Sequence, residues 1–232
     1  MKHAPLGFWA EFNGSMPGLK LGELLDGNAG AIAQTWEEGR FTAMFDFPLA
    51  FAITDVFCRG ESPAKLAAAL SNDRYPDPSM LVTLVDNHDL PRLMSACGGD
   101  VSKVEQALAF MFAMRGVPSI IWGTEAGFAG DKEPANRASM RFEPHPLKDF
   151  IAQWMKRRAE TPALSEGAAL PVEVDSQHVV IARVAPDGTT AHVRVENGQV
   201  SVVPAPDSSL SLLTQWRTAA KKKTRVIPGP GF

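Results

Sequence analysis

The sequence predicts an α/β fold in which parallel strands are covered by helices, followed by a smaller antiparallel β segment. Two observations carry that expectation. Short apolar runs alternate four times with helix-patterned stretches, as successive strand–helix units do. Each apolar run also stops at a polar or acidic group: Glu23, Asp46, the Asp86-to-Asp89 cluster and Glu125. In open α/β sheets and barrels, reactive side chains collect at the carboxyl ends of the strands. Four such endings are hard to produce by turn chemistry alone.

Leu19 to Glu23 is short, apolar and ends on a carboxylate, and Asn28 to Glu38 has a helical composition. Phe41 to Phe47 is aromatic and strand-like, and Pro48 to Phe57 follows with apolar residues at helical spacing. Ser62 and Pro63 open another helix, since proline suits a first turn, and an Ala/Leu-rich run carries it to Leu70. Leu81 to Val85 is apolar or β-branched throughout, the pattern of a strand buried on both faces. Ser102 to Arg115 forms an apolar helix ended by Gly116. Val117 to Trp122 is a fourth strand running into Gly123-Thr124-Glu125, and a last helix covers about Pro146 to Glu160.

From about Leu164 the texture changes to short β-branched runs. His178 to Arg183 and Thr190 to Val195 flank Ala185-Pro186-Asp187-Gly188 as a hairpin, and Val200 to Val203 adds a strand. His178 and His192 fall inside those strands and read as packing residues rather than ligands. The expected organisation is a domain over residues 1–160, a small β-sandwich-like domain over 164–226, and a disordered tail over 227–232.

Composition narrows the function classes. The 232 residues are 45% hydrophobic and 21% charged, an ordinary globular balance able to bury a substantial core. A net charge of −3 argues against a general nucleic-acid binder, and the basic run Lys221-Lys222-Lys223-Thr224-Arg225 reads as a solvated tail. No apolar run reaches membrane-spanning length, and Met1-Lys2-His3-Ala4-Pro5 opens no secretory signal. The compartment is therefore open, cytoplasmic by default. Cys58 and Cys97 show neither metal spacing nor a disulfide framework and are expected to be free thiols, buried or in a reducing compartment.

The stretch richest in chemistry is Leu81-Val82-Thr83-Leu84-Val85-Asp86-Asn87-His88-Asp89, an apolar strand delivering four polar groups to its tip. The plain alternative is a strand followed by an Asx-rich turn, because Asn and Asp bond locally to the backbone. Glu23 likewise reads either as a catalytic carboxyl or as a surface residue at a strand–helix junction. Asp46 and Glu125 are read as orienting loops. Trp9, Phe47, Trp122 and Phe128 are candidate flat platforms for a ligand, beside the alternative that they belong to the core.

These residues, in this order, resemble the α-amylase superfamily of retaining glycoside hydrolases (glycoside hydrolase family 13), specifically its neopullulanase, cyclomaltodextrinase and maltogenic amylase-like branch. Lys2-His3 is similar to the end of the family's D-x-x-K-H motif at barrel strand four, and Leu21-Gly22-Glu23 to strand five. Phe45-Asp46-Phe47-Pro48-Leu49 resembles strand six, Val85-Asp86-Asn87-His88-Asp89 strand seven, and Gly116-Val117-Pro118 through Glu125 strand eight. Asn136-Arg137 resembles the Asn-Arg pair of the following loop.

The resemblance implies the second half of a (β/α)₈ barrel, strands five to eight, with a small antiparallel β domain after it. It implies Glu23 as general acid/base and Asp89 as the carboxylate supporting the transition state. Lys2, His3, His88, Asn136 and Arg137 would contact substrate, an α-glucan or maltooligosaccharide. The nucleophilic Asp of D-x-x-K-H would fall two residues before Met1, so the chain reads as a fragment lacking it. No nucleotide, flavin or haem site is expected. Calcium is possible in full-length relatives, but no ligand is assignable here. Exposed barrel edges imply a capacity for self-association. The alternative is an inactive carbohydrate-binding or interaction module derived from the same family.

Overall fold

The structure, a computed structural model, describes residues 4–71 and 74–205. Lys2, His3, the basic run and the expected tail over 227–232 lie outside the described residues. Four parallel strands form one sheet in the order β1-β2-β3-β4: Leu21–Gly22, Ala43–Phe45, Leu81–Thr83 and Val117–Pro118. Leu21 pairs with Ala43, Met44 with Leu81 and Val82 with Val117, so neighbours in sequence are neighbours in space. The paired segments are shorter than their apolar runs. Leu84 and Val85 nevertheless stay buried and carry the chain to the polar tip.

Helices return the chain between strands. α2 (Ala29–Glu38) starts where the Asn28 side chain accepts from the amides of Gly30 and Ala31, satisfying donors that an α-helix leaves open. α3 (Phe47–Ile53) is capped by Asp46 and runs on as one π-helical turn, Thr54–Cys58. After α4 (Ala64–Ser71), β3 and the short α5 (Leu93–Ala96), α6 (Val101–Ala113) is capped by Asp100. Its apolar face is continuous because it lies inside the protein, with Ala107 to Met114 all buried. Gly116, at φ +85°, makes the turn into β4; a Cβ there would collide with the Leu81 carbonyl oxygen. α7 (Pro146–Ala159) and α8 (Pro162–Ser165) follow.

A second, antiparallel sheet runs β5-β6-β7-β8: Ala168–Val174, His178–Val184, Thr190–Glu196 and Gln199–Pro204. One hydrophobic cluster joins the two sheets' territories, packing Val179, Ile181, Val193 and Val195 with Leu66, Val104, Leu108 and Ile151. At the seam sits Arg183, wholly buried, donating to the carbonyls of Ala113, Leu164, Gly167 and Ala168. Arg158 donates to Phe112, Met114, Gly116 and Ser165. The two guanidiniums thus satisfy carbonyls at the carboxyl end of α6 that have no helical partner.

Two expectations change, and one open alternative is decided. Cys58 and Cys97 are joined as a disulfide, so neither is a free thiol. The end of the π-turn and the end of α5 pack into the same core, a proximity that a separation of 39 residues does not reveal. α1 (Leu6–Ser15) and β5 were not expected. α1 lacks a side-chain cap, and β5 contains Pro171, beside which the pairing register shifts. Phe47 is fully buried among Ile32, Met44 and Leu84, and so belongs to the core rather than to a sugar platform.

Candidate active site

Glu23 follows β1 directly, and Asp86 to Asp89 follow β3, so both groups leave the same end of a parallel sheet. Asn87 ties them together. Its Nδ2 donates to Glu23 Oε1 at 3.4 Å, while its Oδ1 accepts from the amides of Asp89 at 2.9 Å and Leu90 at 3.0 Å. The turn chemistry and the site chemistry are therefore one arrangement: the Asx turn at Asn87 aims Asp89 and holds Glu23.

Beneath this tip is a buried polar base. Asp86 accepts from the Leu93 amide at 2.8 Å and from Thr124 Oγ1 at 3.2 Å, with Arg92 Nε 3.4 Å away. Burial pushes the Asp86 carboxyl above its ordinary value, opposed by the Leu93 amide, the Arg92 charge and the Thr124 hydroxyl. Arg92 also donates to the Trp122 carbonyl, and its guanidinium stands 5.8 Å from the Trp122 ring centre and 5.9 Å from that of Phe128. It thereby connects the end of β3 to the loop after β4.

The tip is held from the side. Buried Asn136 donates to the carbonyls of His88 at 2.9 Å and Leu90 at 3.2 Å. Arg137 donates through Nε to the His88 carbonyl at 3.1 Å and through Nη2 to Asp89 Oδ1 at 2.8 Å. His88 Nε2 lies 3.5 Å from the same carboxylate oxygen. Asp89, His88 and Arg137 are all exposed, so these side chains face solvent at the mouth of the sheet rather than a closed chamber.

Of the seven residues singled out from the sequence, Glu23, His88, Asp89, Asn136 and Arg137 converge at this end. Lys2 and His3 lie outside the described residues. Trp122 is exposed and anchored by its Nε1 to the Ala138 carbonyl at 2.9 Å. Phe128 is buried with Arg141 over its ring, and Trp9 packs on Phe41. Asp46 caps α3 and pairs with Arg115 at 2.7 Å, both groups buried, in keeping with a role in orientation. Sequence reasoning missed the roles of Arg92 and Thr124 beside Asp86; Thr124 lay within the quoted Gly123-Thr124-Glu125 ending, whereas Arg92 carried no local pattern. Asn87 sat within the quoted motif and could have been found there. Among the described residues, no cluster of His, Cys, Asp and Glu is arranged to hold a metal, and no helix is long and apolar enough to cross a membrane.

Residues 6–166 match the family described as alpha amylase, catalytic domain. The chain is 31% identical to a beta/alpha-amylase of Paenibacillus polymyxa over 85% of its length and 17% of the relative's. It is 28% identical to a cyclomaltodextrinase of Geobacillus thermopakistaniensis over 97% of its length and 41% of the relative's. Among solved structures, an Anoxybacillus α-amylase superposes with a TM-score of 0.77 at 25% identity, covering 85% of this chain and 46% of that one. The α-amylase of Geobacillus thermoleovorans complexed with acarbose gives 0.76 at 25% identity, covering 86% and 47%. The chain thus spans less than half the length of each of these relatives.

Proposed function

The chain belongs to the α-amylase catalytic-domain family of glycosidases, and from that premise we propose that it carries the acid/base half of an α-glucan hydrolase with a retaining mechanism. The observation that carries the proposal is the Glu23–Asn87–Asp89 hydrogen-bond chain, in which Asn87 joins the Glu23 carboxyl group to the Asp89 backbone amide at one end of a parallel sheet. In this reading the sheet is strands five to eight of a (β/α)₈ barrel, residues 1–160 form the catalytic part and 164–226 the β domain. Exposed Leu21 and Val117 on the two outer strands support it, because a closed barrel covers those edges.

Retaining hydrolysis uses two carboxyl groups about 5–5.5 Å apart. Glu23 protonates the glycosidic oxygen as the nucleophile attacks the anomeric carbon, then as carboxylate takes a proton from the water that releases the sugar. Asp89 holds sugar hydroxyls more tightly as the ring flattens toward an oxocarbenium ion. His88 donates to the same sugar, while Arg137 and Asn136 fix the loop bearing both. Lys2 and His3, outside the described residues, are proposed as substrate contacts on the resemblance alone. The nucleophile is assigned to a segment outside residues 1–232. The substrate class is the α-glucans and maltooligosaccharides.

The test is a barrel completed by upstream coding sequence or by the first half of a relative's barrel. Maltodextrin cleavage should release product with the α configuration, and Glu23→Gln should lower turnover by about 10²–10⁴-fold. Residues 1–232 alone should show no turnover. An inverted product, or activity indifferent to Glu23→Gln, overturns the assignment. Oligosaccharide binding without turnover by the completed barrel would favour the second reading, an inactive binding module.

A further inference from the structure

Asp89 is aimed by a loop to which it does not belong. The His88–Asp89 turn is held by Asn136 and Arg137, and both lie between β4 and α7, where one short 3₁₀ turn, Ala135–Arg137, is the sole regular element. A connection of that kind keeps a fixed course only where other elements supply its contacts.

Those contacts come from the start of α5. The Arg92 guanidinium, 1% exposed, donates to the Trp122 carbonyl, to Thr124 Oγ1 at 3.5 Å and to the Asn136 carbonyl at 3.5 Å. The Arg92 backbone amide donates to the Gly130 carbonyl at 2.8 Å, and Ser95 Oγ accepts from the Gly130 amide at 2.6 Å. Gly130 in turn lies so close to the 3₁₀ turn that a Cβ on it would stand 2.6 Å from the Ala135 carbonyl and the Asn136 nitrogen. Arg92 therefore reaches the loop at residues 122, 124, 130 and 136, while Asp86 holds it from the opposite side.

We propose that Arg92 is a positioning residue for the reaction: it fixes the course of the loop so that Asn136 and Arg137 aim the Asp89 carboxylate at the sugar. The proposal rests on the role given to Asp89 above. Arg92 is too deeply buried to meet substrate and acts through its neighbours. Arg137 follows Asn136 directly, so a shift at the Asn136 carbonyl passes to the donors on His88 and Asp89. The planar guanidinium suits this task because its donors point in fixed directions to oxygens of three separate residues. A lysine would keep a charge beside Asp86 but could not hold all three.

Misplacing a reacting group by about 1 Å can cost on the order of 10²-fold in rate. Asp89 acts on the transition state, so the loss should fall on kcat and kcat/KM alike. In the completed barrel, Arg92→Lys should lower kcat for maltodextrin by about 10–100-fold with KM within about threefold of wild type. Gly130→Ala leaves the guanidinium intact but displaces the Ala135–Asn136 turn, and should do the same. Leu108→Ala, in the core and away from the loop, should lower the unfolding midpoint without changing kcat.

A second readout needs no turnover. Arg137 Nε donates to the His88 carbonyl at 3.1 Å. Its Nε–Hε signal in proton–nitrogen NMR spectra of residues 1–232, assigned with Arg137→Lys, should shift or broaden in Arg92→Lys and Gly130→Ala but not in Leu108→Ala. Circular dichroism checks that each variant is folded, and if Arg92→Lys is not, Gly130→Ala carries both readouts. Wild-type kcat in a folded variant, a loss confined to KM, or an unmoved Arg137 signal overturns the proposal. A completed wild-type barrel without activity, in which the Arg137 signal still moves with Arg92, would overturn the catalytic reading and leave the positioning of the Asp89 turn supported.

Discussion

Two buried ion pairs near the sheet have opposite characters. Asp46 and Arg115 lie 2.7 Å apart, and Asp46 also accepts from the Leu49 amide to cap α3. Arg115→Met leaves that carboxylate buried without its cation, and should cost about 3–5 kcal/mol in urea unfolding. Asp86 differs because burial already favours its neutral form. Asp86→Asn retains an acceptor for the Leu93 amide and reverses the Thr124 bond, the hydroxyl accepting from the new amide, so its cost should be nearer 1 kcal/mol. A raised carboxyl pKa adds stability that is full below the unfolded value of 3.8 and is lost as pH rises through the folded value. The advantage of wild type over Asp86→Asn should therefore be greatest below pH 3.8 and shrink above it; a growing advantage with rising pH would refute the sign. Asp46 could be read from sequence as an orienting residue because Asp followed by Phe-Pro is a helix-start signal. Arg115 could not, since its partner is 69 residues away.

At the scale of elements, the carboxyl end of α6 is where the protein's two sheets are fastened. Arg183 and Arg158 together donate to carbonyls of Phe112, Ala113, Met114 and Gly116. Desolvation lowers the pKa of both, that of Arg158 to about 10, and each guanidinium donates to four carbonyls. Arg183→Met should remove about 3 kcal/mol or more, because several carbonyls are left buried without donors. Circular dichroism should show helix retained near the folded baseline while the unfolding midpoint falls; an unchanged midpoint would mean those carbonyls find other partners. Arg183 sits within a β-branched run, where the sequence marks only a strand position. Its inward direction and its targets follow from how β6 packs on α6 and α8. The helices with strong caps were readable: Asn28, Asp46 and Asp100 each stand at a start. α1, preceded by Pro5 and interrupted by Gly7 and Gly14, was not.

Across the whole molecule, one apolar cluster contains residues from α3, α4, α6 and α7 together with β6 and β7. Removing side chain from either side should therefore destabilise the same unit. Leu108→Ala in α6 and Val193→Ala in β7 should lower one common transition, Leu108→Ala by about 2–5 kcal/mol. Two separate transitions, each sensitive to one variant, would show that the β segment unfolds on its own. The exposed Leu21 and Val117 on the outer strands are the other property at this scale.

The sequence by itself determined the strand–helix alternation, the four polar strand endings and the hairpin between Val184 and Thr190. These depend on local physics: periodic apolar spacing, capping residues and turn chemistry act over a few residues. It also determined that Glu23 and the Asp86-to-Asp89 cluster belong to comparable strand ends. The tertiary structure decided the rest. It joined Cys58 to Cys97, set Arg92 and Thr124 against Asp86, buried Phe47 and left Trp122 exposed. It also turned Asn136 and Arg137 onto the His88–Asp89 backbone. Apart from Arg92 and Asp86, these pairings join residues far apart in the chain, and they are set by which faces of the elements meet. Such contacts leave no period or spacing in the sequence from which they could be read.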